Sequence, residues 1–208
     1  MNKNDDIYDN FHDPSAEFLN EPRAFCYDLA MQFINDERQS GDEEWRTTDD
    51  TIKGILLLVF TWNFAAKETK KLNFQNIRGL LKKTQLKLQQ LEGVTIETAN
   101  DNYWNTIKDI FSEFQKLMGQ TGASKALSLL NPNLFVMWDT KIRRRLNKSL
   151  IPGIKNGELP EQYIIFLKGI KKIISNYKIK EKIPQGAFIA KKIDEFNYVH
   201  IVMNKNAK

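Results

Sequence analysis

Leu117-Met118-Gly119-Gln120-Thr121-Gly122-Ala123-Ser124-Lys125-Ala126, followed after a short link by Val136-Met137-Trp138-Asp139-Thr140-Lys141-Ile142-Arg143-Arg144-Arg145, decides how this chain reads. Ahead of the first stretch, Trp104, Ile107, Ile110, Phe111, Phe114 and Leu117 recur at helical spacing, from a start at Asp101 or Asn102. Behind it a second helix is expected over about 122–131. The stretch is therefore a tight glycine-bearing turn between two helices. Such a turn presents unpaired backbone N–H groups at the positive end of a helix dipole, and its glycines let a phosphate come close. The second stretch sets an acid, Asp139, at the head of a strongly basic helix over 140–149. Gly119, Thr121, Gly122, Ser124, Lys141, Arg143 and Arg144 are the candidate contacts to a DNA backbone. Arg143, Arg144 and Arg145 occupy successive helix positions and fan over about 200°, so one or two of them face a given strand.

The rest of the chain also reads as helices. Asp13-Pro14-Ser15 opens one, and Phe25, Leu29 and Phe33 mark another over about 22–37. Thr47 or Thr48, with Asp49 and Asp50, caps an apolar helix running to about Lys67. Asn73 caps the next, which closes near Glu92-Gly93. Two more are expected at 160–176 and 185–197, bounded by Asn-Pro, Pro-Gly and Asn-Gly turns. The fold class is all-α, a two-lobed helical bundle. Residues 1–13 read as a flexible leader, and 14–208 as a single helical domain with lobes roughly 14–100 and 101–208.

Composition narrows the function classes. With 208 residues, 41% of them hydrophobic and 27% charged, the chain is expected to fold around one core. The apolar run Gly54–Ala66 is well short of the ~20 residues of a membrane span and reads as a buried helix. The N-terminus lacks the basic-then-apolar pattern of a secretory signal, so cytoplasmic residence and no membrane partner are expected. Cys26 is the single cysteine, and with only His12 and His200 beside it no metal cluster and no cofactor are expected. From residue 101 onward there are 19 basic and 9 acidic residues, a balance of +10, against 12 and 17, or −5, before it. That asymmetry suits a polyanion, although a solvated lysine-rich surface explains it equally well.

The two quoted stretches together resemble the helix-hairpin-helix GPD superfamily of DNA glycosylases, in particular the endonuclease III type, whose L-P-G-V-G-x-K-T-A hairpin is followed by V-D-T-H-I. The resemblance covers roughly residues 117–146. It implies a two-lobed helical fold with a helix-hairpin-helix element, double-stranded DNA crossing the hairpin, and a damaged base flipped into the cleft between lobes. Asp139 matches the family's catalytic aspartate, Thr140 and Ile142 match its neighbours, and Lys141 stands where histidine is common. An acid suits that position because cleaving an N-glycosidic bond builds positive charge on the sugar. A plain N-cap for the helix from Thr140 would also explain it.

In bifunctional members of the family, a lysine on the hairpin's second helix attacks the sugar. Aligning Ala126 with the family's alanine puts that position on Ser124, and Lys125 is then rotated out by about 100°. The Gly119-x-x-Gly122 spacing is one residue longer than the family's G-x-G, so a local shift would bring Lys125 to the cleft. The link to Asp139 is shorter than in endonuclease III, and the four-cysteine cluster is absent, which points to a distant branch. Trp62, Trp104, Trp138 and Tyr103 are candidates to stack on an extruded base, with core packing the rival role for each. Lys168, Lys171 and Lys172 share a helix surface that could extend a phosphate track.

Three functions remain open: a base-excision glycosylase with an abasic-site lyase step if Lys125 is the nucleophile, a non-catalytic helix-hairpin-helix DNA-binding protein, and an interaction module for an acidic protein. No obligate protein partner is evident. Phosphate-loop, dinucleotide-fold, zinc-protease and Ser/His/Asp signatures are missing. The neighbouring pairs Asp49-Asp50 and Asp194-Glu195 point apart on a helix, so shared acid/base work is not expected of them.

Overall fold

The computed structural model describes residues 7–21, 24–62, 71–151 and 160–203. Among these residues are eight α-helices: α1 (Ser15–Phe18), α2 (Ala24–Gln39), α3 (Asp49–Trp62), α4 (Phe74–Gln90), α5 (Asp101–Leu130), α6 (Thr140–Ser149), α7 (Pro160–Asn176) and α8 (Ile189–Asn197). Short 3-10 turns cover Trp45–Thr47 and Ile179–Lys182, and the wider π-helical turn Tyr198–Met203 continues α8. There is no strand among the described residues, and no helix among them is long and apolar enough to cross a membrane.

The helix starts follow local chemistry. Asn73 accepts the Asn76 N–H at 2.9 Å, and the Thr48 hydroxyl accepts that of Thr51 at 3.3 Å, each satisfying a donor the helix leaves over. α5 begins at Asp101, the first of the two starts its sequence suggests, and Asn100 supplies the cap, accepting from the Asn102 N–H at 3.0 Å. At its far end Asn131 donates to the carbonyls of Leu91 and Val94, both at 3.1 Å, and so locks the connector after α4 to the end of α5.

α5 is the axis of the molecule, packed against α2, α3, α4 and α7. One connected core runs from Tyr8 to Ile201, with Ile107, Ile110, Phe111 and Phe114 of α5 fully enclosed, each such side chain contributing on the order of 1.5–3 kcal/mol. α2 and α3 cross closely at Gly54, where a Cβ would meet the Ala30 carbonyl oxygen at 2.8 Å. The later part of the expected flexible leader, residues 7–13, includes side chains packed in the core. Residues 1–6 lie outside the description, but Tyr8 and Phe11 are buried against Phe196, and the Tyr8 hydroxyl donates to the Asn197 side chain. The mixture of polar and aromatic residues there hides a docking segment.

At Gly119 the helical path of α5 is interrupted, with φ 69° and ψ 174°. Only glycine adopts that conformation without strain. The chain turns sharply there, and the arm from Gln120 to Leu130 is buried almost throughout.

Candidate active site at the Gly119 break

The segment from Leu134 to Trp138, between the second arm of α5 and α6, has no regular ladder to satisfy its backbone. Side chains do so instead. The Ser124 hydroxyl accepts the Trp138 N–H at 2.9 Å and donates to the Thr121 carbonyl at 3.0 Å. Asp194 of α8 accepts the Met137 N–H at 2.6 Å, and the Tyr163 hydroxyl donates to the Val136 carbonyl at 2.9 Å. Trp138, below, is wedged among Phe111, Tyr163 and Phe166. These ties fix the position from which Asp139 starts α6. One of its carboxylate oxygens caps the helix, accepting the Ile142 N–H at 2.9 Å.

Beside Asp139 lies a recess of about 130 Å³. One water needs only ~10–15 Å³, so the space admits a small organic group. Lys125, Thr121, Asp139, Tyr27, Lys191, Asp194 and Glu195 line it, with Phe18, Tyr198 and Val202 among the apolar walls. Lys125 is 6% exposed and Asp139 half-buried. Lys125 therefore reaches the recess, and Ser124, one residue earlier, is consumed in holding Trp138. The second arm starts directly after Gly119, and Gly122 is buried within it.

The recess contains three acids and two lysines. Glu195, 3% exposed, receives Lys191 at 2.8 Å and Lys192 at 2.9 Å. Lys191 also lies 4.8 Å over the Tyr27 ring. Burial pushes the Asp194 carboxyl well above the usual carboxylate range; Glu195 and Asp139 act in the same direction, while the Met137 N–H and Lys125 oppose it. Burial likewise raises the Tyr27 phenol, with Asp194, Glu195 and Asp28 adding to it. A lysine lining the same recess as a carboxyl of raised proton affinity supplies the groups that nucleophilic or acid/base chemistry uses.

No protein-family model matches the chain, and neither a curated protein nor a solved structure matches it.

Several expected contacts shift. Ser124 and Gly122 are buried, and the Ser124 hydroxyl is a brace rather than a phosphate contact. Arg143 is half-buried, bonded to Gln120 Oε1 at 2.7 Å and Thr140 Oγ1 at 3.2 Å, and lies 5.0 Å over the Trp138 ring. It clamps α6 to the Gly119 break. Gly119 and Thr121 sit half-buried at the break, and Lys141 and Arg144 are exposed. The Lys141 ammonium donates to the Val202 carbonyl at 3.1 Å, at the rim of the recess. Trp104 and Trp138 are core residues and Tyr103 packs against the core; the Trp62 side chain lies outside the described residues. Lys171 donates to the Ala99 carbonyl at 2.6 Å, and Lys168 lies 5.4 Å over the Trp104 ring, so both serve the joint between α7 and α5.

Asp194 and Glu195 are the residues sequence reasoning missed. They do project differently, as neighbours on a helix must, yet both are buried in the wall of the same recess. The signal was present in their surroundings: two acids between the core residues Ile193 and Phe196 are expensive to bury unless they serve a purpose.

Proposed function

We propose that the protein is a DNA N-glycosylase that draws a damaged base into or beside the recess, with Asp139 stabilising the positive charge that develops on the sugar and Lys125 attacking the same carbon. The observation that carries this reading is that Lys125 and Asp139, fourteen positions apart, line one recess beside the Gly119 break. Their order along the chain, a lysine on the arm after the break and an acid opening the next helix, also fits the glycosylase resemblance. In this scheme the Lys125 amine, having given up its proton, forms a bond to the anomeric carbon as the bond to the base breaks. The base leaves with the electron pair and takes a proton; the sugar-bound nitrogen then loses a proton, the C1′–O4′ bond breaks with a proton passing to O4′, and the ring-opened iminium is the lyase intermediate. Double-stranded DNA is the partner, approached through the first-turn N–H groups after Gly119 and the exposed Lys141 and Arg144.

One observation favours the non-catalytic DNA-binding alternative: the bond from Asp139 to Ile142 already accounts for an acid at that position. The two readings part in one experiment. Duplexes carrying uracil, 8-oxoguanine, hypoxanthine, alkylated bases or an abasic site are incubated with the wild type and with Asp139→Asn. The glycosylase reading expects release of at least one base, slowed by ~10²–10³ in the variant, with duplex affinity kept. Salt-sensitive binding with no product from any duplex would leave the non-catalytic reading in place.

A further inference from the structure

The chain's two histidines, 188 positions apart, meet on one carboxylate. His12 Nε2 lies 2.7 Å from Glu17 Oε1, and His200 Nε2 lies 3.7 Å from Glu17 Oε2, with all three ligand atoms within 4.8 Å of one another. We propose that His12, Glu17 and His200 form a binding site for a divalent transition-metal ion of the zinc type. The inference is independent of the nucleic-acid reading, since none of the three residues lines the recess.

Three features support it. First, a tetrahedral ion with bonds of about 2.0–2.1 Å keeps its ligand atoms ~3.4 Å apart, a spacing that the observed 2.7 and 3.7 Å straddle. Second, the His12 ring is already oriented from behind. Its Nδ1 lies 3.1 Å from the Asn10 carbonyl, which can only accept, so Nδ1 carries hydrogen and Nε2 is the atom turned to Glu17. Metal-bound imidazoles are commonly held in this way. Third, His200 Nε2 is enclosed and has no hydrogen-bond partner, whereas a buried polar atom ordinarily has one. An ion bridging the cluster would give that atom a partner and take the place of the proton shared by His12 and Glu17, which passes to solvent.

The donor set, two imidazoles and one carboxylate, selects zinc and its neighbours over magnesium and calcium, which prefer all-oxygen sites. Three protein ligands leave a fourth position for water. Glu17 belongs to α1 and His200 to the π-helical turn, so the ion would pin the N-terminal segment to the C-terminal one. The two histidine rings, 5.4 Å apart and edge-on, both pack against Phe196, at 6.0 and 4.3 Å.

The test is calorimetric titration of the metal-stripped full chain with Zn²⁺, alongside His12→Ala, His200→Ala, Glu17→Gln and Cys26→Ser, with Co²⁺ substitution read by visible absorption. We expect one ion per chain, a four-coordinate cobalt spectrum and a rise in Tm on zinc addition. Binding should weaken at least ~100-fold in each histidine variant, since loss of an outer partner alone commonly costs 10–100-fold. Cys26→Ser should bind as wild type. His12 is exposed, so His12→Ala keeps the metal-free fold and decides the matter if His200→Ala does not fold. Absence of stoichiometric binding, or binding unchanged in His12→Ala, would overturn the site and leave the cluster as a proton-held clasp between the two ends of the chain.

Discussion

Two charged clusters are built into this molecule, and they use their charges differently. In the cleft between α2, α4 and the end of α5, Arg38 and Arg46 flank the buried Trp45 ring at 4.7 and 4.3 Å. Arg46 is paired with Glu92 at 3.1 Å, and Arg38 donates to the Leu130 carbonyl at 3.0 Å. Both guanidiniums thereby join helix ends, despite burial that lowers their proton affinity. Both clusters border open space, about 180 Å³ beside Trp45 and about 130 Å³ beside Gly119, where Lys125, Asp139, Asp194 and Glu195 line the wall. The first arrangement connects elements of the fold. The second sets a lysine beside carboxyl groups, among them the buried Asp194 whose proton affinity is raised, and that chemistry separates a brace from a site.

The comparison can be broken by mutation. Trp45→Ala should have the largest effect, a loss of ~3–5 kcal/mol in chemical denaturation, because it empties the centre of the brace. Next comes Gly119→Ala, expected to cost ~1–3 kcal/mol, since any Cβ is strained at the positive φ of the break. If that substitution proves neutral, the break is not a fixed feature. Lys125→Met should change stability by less than ~1 kcal/mol while abolishing base chemistry, because a residue kept for reactivity contributes little to folding. A loss as large as that of Trp45→Ala would make Lys125 a brace as well.

Asp194→Asn sharpens the contrast through pH. The folded carboxyl binds its proton more tightly than the unfolded one, so its contribution to stability is complete below the unfolded value of about 3.9 and is lost as pH rises through the folded value. The variant keeps an oxygen for the Met137 N–H and removes the titration. Its stability relative to wild type should therefore increase from pH 4 towards 8 in denaturant melts; a constant difference across that range would contradict the buried-acid assignment.

Periodicity made most helices legible, and α6 and α7 begin and end where spacing and turn residues place them. Local caps are also readable, because Asn73 and Asp139 act within three residues of themselves. What failed were features that depend on partners distant along the chain. Tyr8 and Phe11 look like part of a frayed end until Phe196 is brought against them. The basic excess of the second half is partly spent on the first, as in Lys191 with Asp28 and Lys180 with Glu97. In the candidate site, Asp139 was readable from the opening of a basic helix. Lys125 was readable only as one of two registers, because a single residue in a glycine turn rotates everything after it by about 100°. Asp194 and Glu195 were hidden, since their neighbours along α8 do not reveal which buried groups they will face.

Borohydride trapping on an abasic-site duplex tests the central claim most directly, because it reports the bond the Lys125 amine is assigned to make. The wild type should be captured as a covalent protein–DNA adduct that is absent in Lys125→Ala, although that variant still binds the duplex. No adduct from folded, DNA-bound wild type, or an adduct of equal yield from Lys125→Ala, would contradict it.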